Sequence, residues 1–185
     1  MYKMKGCIPP MITPFKENGD LDTDGLKTLV SFLSDHVHGV FINGSYGCGA
    51  LMSAEERKQV AEITKKTALD KTQVVVQTGT TNNRETAELT RHAHEIGADA
   101  VAAVGPYYYK FNEDSICYFF EDMVKAAQGT PVYVYNNPGF QGYPMSLALI
   151  KRLKDLGVSG IKDATFDIML HAQYHSCLLY TSRCV

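Results

Sequence analysis

Four short stretches carry residues able to do chemistry. Val158-Ser159-Gly160-Ile161-Lys162-Asp163 is an apolar run that stops on a lysine. Such a lysine is either a solvated charge at a strand end or an amine held in an apolar pocket. Desolvation lowers the pKa of a buried lysine, and the neutral amine forms Schiff bases with carbonyl compounds. Gly44-Ser45-Tyr46-Gly47-Cys48-Gly49 is a glycine-rich turn. Between a strand and a helix it could bind a phosphate or a dinucleotide. Its spacing is not that of G-x-G-x-x-G, however, and the strand after it stops at Gln77 with no acidic residue. It could equally hold a carboxylate on backbone N–H groups, with the Ser45 and Tyr46 hydroxyls nearby. The bland reading is a tight turn that needs glycine for positive φ.

Tyr107-Tyr108-Tyr109 reads first as aromatic core or rim. Tyr135 differs, because Asn136-Asn137-Pro138 after it is a turn and not a continued strand. Its hydroxyl would emerge at a strand end, where a tyrosine beside a Schiff-base lysine can act as general acid or base. Cys48 could be a nucleophile near a helix N-terminus. No histidine is placed to serve it, so it reads as a small buried residue. His171 and His175 have chelating spacing, while His92 and His94 do not share a helical face. No metal site and no cofactor are expected.

The elements that must position these residues repeat along the chain. Apolar strand-like runs begin near residues 5, 39, 73, 100, 132 and 158, roughly one per thirty residues. Helical segments lie between them. Leu26, Leu29, Val30 and Leu33 share one helical face. Ser53-x-x-Glu56 is a capping box that opens the helix to about Leu69. The runs are continuously apolar, as parallel strands covered on both faces require. Two architectures fit: an open doubly wound sheet, or a (β/α)8 barrel cut short. Ser45-Tyr46, Thr80-Thr81, Tyr107-Tyr108, Tyr135-Asn136 and Lys162 all lie just past different strand ends. An open sheet gathers ligands mainly at one switch point, whereas a barrel draws groups from many strand ends into one mouth. The expectation is therefore an α/β chain, a (β/α)8 TIM barrel truncated after about six βα units.

The 185 residues carry a net charge of -2 and no basic tract, which gives no electrostatic footprint for nucleic acid. No apolar run is long enough to span a membrane. With no signal-peptide core, a cytoplasmic location is expected. The five cysteines are dispersed, which argues for free thiols.

Four of the motifs, in order and on successive strand ends, resemble the dihydrodipicolinate synthase/N-acetylneuraminate lyase family of class I, pyruvate-dependent aldolases. The resemblance covers roughly residues 4 to 170. Gly44-Ser45-Tyr46-Gly47 is similar to the family's pyruvate-carboxylate turn, and Pro106-Tyr107-Tyr108 to its strand-four tyrosine motif. Tyr135-Asn136-Asn137-Pro138 matches its Y-N-x-P, and Gly160-Ile161-Lys162-Asp163 its Schiff-base strand. The resemblance implies that Lys162 forms an imine with pyruvate, whose iminium then acts as an electron sink. Gly44, Ser45, Tyr46 and Gly47 would hold the carboxylate. Tyr135 would shuttle protons through Ser45, and Tyr108, contributed by a neighbouring subunit, would complete the relay. A homo-oligomer is implied, usually a tetramer of two tight dimers.

Two departures bear on the substrate. In the family's dihydrodipicolinate synthases an arginine follows Y-N-x-P by two residues and pairs with the second substrate's carboxylate. That position is Phe140 here, which can form no bidentate ion pair. The turn also carries Tyr46-Gly47-Cys48 where the family commonly has a Thr and a Gly-Glu pair. A lyase or aldolase acting on a 2-oxo acid, of the sialate-lyase or 2-keto-3-deoxy-sugar-acid type, fits better than a dihydrodipicolinate synthase. The alternative of another class is a phosphate- or nucleotide-binding α/β protein using Gly44 to Gly49, or a non-catalytic fragment. Residues 1–175 read as the N-terminal part of one barrel domain, and 176–185 as a tail foreign to the fold. The chain by itself is expected to be inactive.

Overall fold

The computed structural model describes residues 4–177 and 181–183. Strands and helices alternate in chain order: α1 (Thr23–His36), β1 (Gly39–Ile42), α2 (Ala54–Thr67), β2 (Gln73–Gln77), α3 (Asn83–Glu95), β3 (Ala100–Val104) and α4 (Glu113–Ala127). There follow β4 (Val132–Asn136), the short α5 (Pro138–Gln141), α6 (Leu147–Asp155), β5 (Gly160–Asp163), α7 (Ile168–Cys177) and β6 (Thr181–Arg183). Local chemistry sets the helix starts. Ser53 and Glu56 form the reciprocal capping box at α2. Asp22, Asn82, Asn112 and Ser146 each accept a backbone N–H at the starts of α1, α3, α4 and α6.

All six strands pair in parallel, in the order β1-β2-β3-β4-β5-β6. A doubly wound sheet reverses its strand order at a switch point, and here there is no reversal. The sheet is also curled. Neighbouring strands lie about 4.8 Å apart, so on a flat sheet β1 and β4 would be separated by about 14 Å. Yet the rings of Phe41 on β1 and Tyr135 on β4 meet edge-to-face at 5.7 Å. Sequential parallel strands, curled until the first touches the fourth, are the wall of a (β/α)8 barrel.

Side-chain alternation along each strand divides the core in two. Val40, Ile42, Val74, Val76, Val101, Ala103, Val132, Val134 and Ile161 face outward and pack under the helices. Phe41, Val75, Ala100, Ala102, Val104, Tyr133 and Tyr135 form a separate cluster on the concave face. The helices follow one another around the outside, α1 against α2, α2 against α3, α3 against α4, α4 against α6 and α6 against α7.

Two local expectations change. Lys5–Ile12, expected as the first strand, is not a regular strand. It runs beside β1 through His38 N–H to Cys7 O, Phe41 N–H to Pro9 O and Met11 N–H to Phe41 O. Pro9 and Pro10 have no N–H to give, so the ladder is intermittent. Consequently Lys162 lies on the fifth named strand. Pro138 opens a helical turn, its missing N–H being dispensable at that position. At the C-terminal end α7 runs to Cys177, and Thr181–Arg183 pair with Ile161–Asp163. Much of the tail's remainder, residues 178–180 and 184–185, lies outside the described residues.

Tyr174 docks α7. It is fully buried, and its hydroxyl donates to Met145 O at 2.5 Å and accepts from Asn136 Nδ2 at 3.4 Å. Burial, assisted by the Asp163 carboxylate, pushes this phenol from 10.0 up to about 12. A raised folded-state pKa means that its contribution is complete below about pH 10 and is lost as the pH rises through about 12. Tyr174→Phe is expected to lower stability at neutral pH by about 1 kcal/mol. The variant should also lose less stability than the parent on going from about pH 10 to 12. Urea midpoints at several pH values measure both effects.

Candidate active site

Two residues on the concave face are in register at the ends of β4 and β5. Tyr135 stands opposite Lys162, and one step on Asn136 stands opposite Asp163. Period-two alternation turns the first pair inward and the second toward the helices. Lys162 is 7% exposed, and its Nζ lies 3.3 Å from the centroid of the Tyr135 ring and 5.2 Å from that of Phe41. The amine is thus buried among aromatic rings. The Tyr135 hydroxyl accepts from Asn137 Nδ2 at 3.2 Å, which aims it past the strand end. That partner is Asn137 and not Ser45, so the relay expected between Tyr135 and Ser45 is not joined by a direct hydrogen bond among the described residues.

Behind this pair lies a buried polar lattice. Asn136 Nδ2 donates to Asp163 Oδ1 at 2.8 Å, and Asn136 Oδ1 accepts from Gln141 Nε2 at 2.9 Å. Gln141 Nε2 also donates to Tyr143 O, and its Oε1 accepts from Asn137 N–H. Asp163 Oδ2 takes the Thr165 hydroxyl at 2.6 Å. Nearly every polar atom is used, as low-dielectric surroundings require. The lattice locks the strand ends in register and fixes the turn after Tyr135. The Tyr143 hydroxyl, whose pKa burial raises, donates to Pro106 O at 2.8 Å and ties down the loop after β3.

The glycine-rich turn follows β1. Positive φ falls on Asn43 (57°) and Cys48 (56°), not on Gly44, Gly47 or Gly49. The glycines are needed for close approach instead. A Cβ on Gly49 would sit 1.8 Å from Asn43 O, and one on Gly44 would meet the Phe41 ring at 2.6 Å. The turn closes on itself through Cys48 N–H to Ser45 O and Gly49 N–H to Gly44 O. The Thr13 hydroxyl holds Gly47 O at 2.7 Å. The N–H groups of Ser45 and Tyr46 take no part in these bonds.

A cleft of about 280 Å³ opens beside the turn, lined by Asn43, Gly44, Ser45, Cys48, Gln77, Val104, Tyr107 and Phe140, with Ala50 and Leu51 at its edge. Among the described residues no charged side chain lines it. Gly44 and Ser45 therefore reach the cleft, whereas Gly47 is buried beneath the turn and Tyr46, 68% exposed, is not part of the lining. Tyr108 is 84% exposed at φ 81°, and its neighbour Tyr107 takes the place in the cleft. Lys162 and Tyr135 lie on the same concave face but are not lining residues of this cleft. Cys48 is half-buried rather than fully buried, and Cys7, Cys48 and Cys117 are free thiols. The side chains of Cys177 and Cys184 lie outside the described residues. Among the described residues no three His, Cys, Asp or Glu side chains converge as metal ligands.

The sequence reading missed Arg57. It is buried on α2, and its Nη2 donates to Gln77 O (2.8 Å), Gln77 Oε1 (2.8 Å) and Gly79 O (3.3 Å). Burial lowers its pKa, and Tyr107 and Glu85 oppose that shift. The signal was present in the spacing, since Arg57, Val60, Ala61 and Thr64 make up the buried stripe of α2.

A parallel barrel wall with a buried lysine at a strand's C-terminal end defines a barrel enzyme of the imine-forming kind as the class to test. The comparisons narrow it. The Dihydrodipicolinate synthetase family matches residues 3–180, and the chain belongs to that family. It is 34% identical over 167 residues to the N-acetylneuraminate lyase of Citrobacter koseri, covering 89% of this chain and 56% of that one. It is 37% identical over 169 residues to YagE of Escherichia coli K12, a putative 2-dehydro-3-deoxy-D-gluconate aldolase, covering 90% and 55%. Among solved structures, Ruminococcus gnavus sialic acid aldolase superposes with a TM-score of 0.90 at 28% identity, over 94% of this chain and 58% of that one. YagE in complex with pyruvate superposes at 0.89 and 34% identity, over 95% and 62%. The chain thus spans little more than half the length of these relatives, and its strands are part of their TIM barrel.

Gly49→Ala is expected to destabilise the chain by roughly 3 kcal/mol, because backbone and not a movable side chain must yield. Urea denaturation of the variant against the parent checks this.

Proposed function

We propose that this chain carries the imine-forming half of a pyruvate-dependent lyase or aldolase acting on a 2-oxo acid. The observation that carries the reading is Lys162, buried on the concave face with its amine over the Tyr135 ring. In the cleavage direction, Lys162 Nζ attacks the C2 carbonyl of the 2-oxo acid, and loss of water gives the iminium. A base removes the C4 hydroxyl proton, the C3–C4 bond breaks, and its electron pair passes into the iminium. The aldehyde leaves and the enamine remains. Protonation at C3 and hydrolysis then release pyruvate and free Lys162. Condensation runs the same steps backwards.

Gly44, Ser45, Tyr46 and Gly47 are assigned to the substrate carboxylate. The support is that the Ser45 and Tyr46 N–H groups stand outside the turn's own bonds. Tyr135 is the proton carrier, its hydroxyl directed past the strand end. Tyr108 acts across a subunit contact in a homotetramer, a reading in keeping with its exposed ring. The free thiols accord with a cytoplasmic setting.

Phe140, 61% exposed, lines the cleft and brings no charge to it. This favours substrates of the kind named for the relatives, N-acetylneuraminate or 2-dehydro-3-deoxy-D-gluconate, over condensation with a carboxylate-bearing aldehyde.

Two experiments test the reading, each on this chain completed to the barrel length of its relatives, since the chain by itself is expected to be inactive. Borohydride added with pyruvate should leave a reduced adduct that peptide mapping assigns to Lys162, and Lys162→Ala should take none up. An adduct elsewhere, or none, removes the proposal. Tyr135→Phe should lower kcat by roughly 10²- to 10⁴-fold in cleavage of N-acetylneuraminate or 2-dehydro-3-deoxy-D-gluconate. An unchanged kcat would take Tyr135 out of the proton path.

A further inference from the structure

The buried pair Arg57–Gln77 fixes which end of an amide faces the cleft. A glutamine side chain offers two ends of nearly equal shape, a carbonyl oxygen and an NH2 group. A guanidinium has only donors, so the end beside Arg57 must be the oxygen. Arg57 Nη2 lies 2.8 Å from Gln77 Oε1 and is held in place by Gln77 O and Gly79 O. Arg57 is anchored in turn by α2, whose Arg57 O accepts from Asn43 Nδ2 at 2.9 Å. The amide of Gln77 therefore cannot turn over without setting its NH2 against a cation.

Gln77 ends β2 on the concave side and lines the cleft with Ser45, Tyr107 and Phe140. Its Nε2 is not among the buried polar atoms without a partner, although it makes no hydrogen bond within the described residues. The donor end is thus the one left facing the cleft. Among the described residues no charged side chain lines that cleft, so what Gln77 offers an incoming molecule is a neutral, oriented N–H donor. Such a donor suits a hydroxyl or carbonyl oxygen better than an additional carboxylate, which calls for charged partners.

We infer that Gln77 is a specificity-determining residue, whose Nε2 donates to a hydroxyl or carbonyl oxygen on the part of a hydroxylated 2-oxo acid beyond its pyruvate end, with Arg57 as its positioning residue. This rests on the proposed imine chemistry for the identity of the ligand. The geometry of the amide stands without it.

The test uses the same completed protein and follows the Gln77 side-chain amide by NMR after labelling with 15N-glutamine, assigned through Gln77→Met. N-acetylneuraminate or 2-dehydro-3-deoxy-D-gluconate should shift the Gln77 Nε2 resonance, and pyruvate alone should not. Gln77→Met leaves Arg57 the Gln77 and Gly79 carbonyls and should raise KM for the responsive sugar acid roughly three- to ten-fold. Its trapping of pyruvate on Lys162 by borohydride should persist. Gln77→Glu keeps a partner for Arg57 but replaces the donor with an acceptor, and should raise KM at least as much. An amide resonance that neither sugar acid moves overturns the inference, as does an unchanged KM in Gln77→Met. Absence of the Lys162 adduct in the parent protein strikes at the imine reading alone, because the amide shift is read independently of it.

Discussion

The in-register pairing of β4 with β5 is the constraint on which the site depends. A one-residue slip of a strand exchanges its two faces. Here such a slip would turn Lys162 out toward the helices and bring Asp163 into the barrel. The Asn136–Asp163 bond opposes that slip at the C-terminal end of the pairing. Gln141, Thr165 and Tyr174 then occupy the remaining polar positions of the pair, so that few are buried without a partner. Polar groups on the outer face thus hold an amine and a phenol ring in contact on the inner face.

The second constraint is backbone crowding at the end of β1. Gly49 packs its Cα against Asn43 O, and the left-handed conformations fall on Asn43 and Cys48 instead. The turn is therefore shaped by contact and not by glycine's freedom at positive φ. It brings the Ser45 backbone to the cleft while Gly47 is held from behind by Thr13. Asn43 does double duty, since its side chain reaches Arg57 O and so ties the turn to α2. The cleft wall, the turn and the Gln77 amide are in this way one connected structure.

Curling of the sheet joins these two regions. Phe41 belongs to β1 and stands under the turn, yet it touches the Tyr135 ring and lies 5.2 Å from Lys162 Nζ. Its ring is thus the contact shared by the glycine-rich turn and the amine. The concave cluster is built from small residues on β3 and large ones on β1 and β4.

Much of this was legible in the sequence. The alternation of apolar runs with capped amphipathic segments determined an α/β fold with parallel strands. Unusual residues clustered after strand ends pointed to a barrel mouth, and Lys162, Tyr135 and Ser45 stood out by type and position. These are properties of contiguous residues, set by periods of 2 and 3.6 and by capping chemistry. What only the tertiary structure decided depends on contacts between distant segments. The proline-rich start became an intermittent ladder, because its pairing is fixed by β1 and not by its own apolarity. Tyr107, rather than Tyr108, faces the cleft, because the loop is pinned by Tyr143. Tyr174 on α7 closes the lattice behind Asp163, although no apolar stripe in the sequence marked that helix. Arg57 orients Gln77 from 20 positions away, a pairing that exists only once α2 is laid against the end of β2.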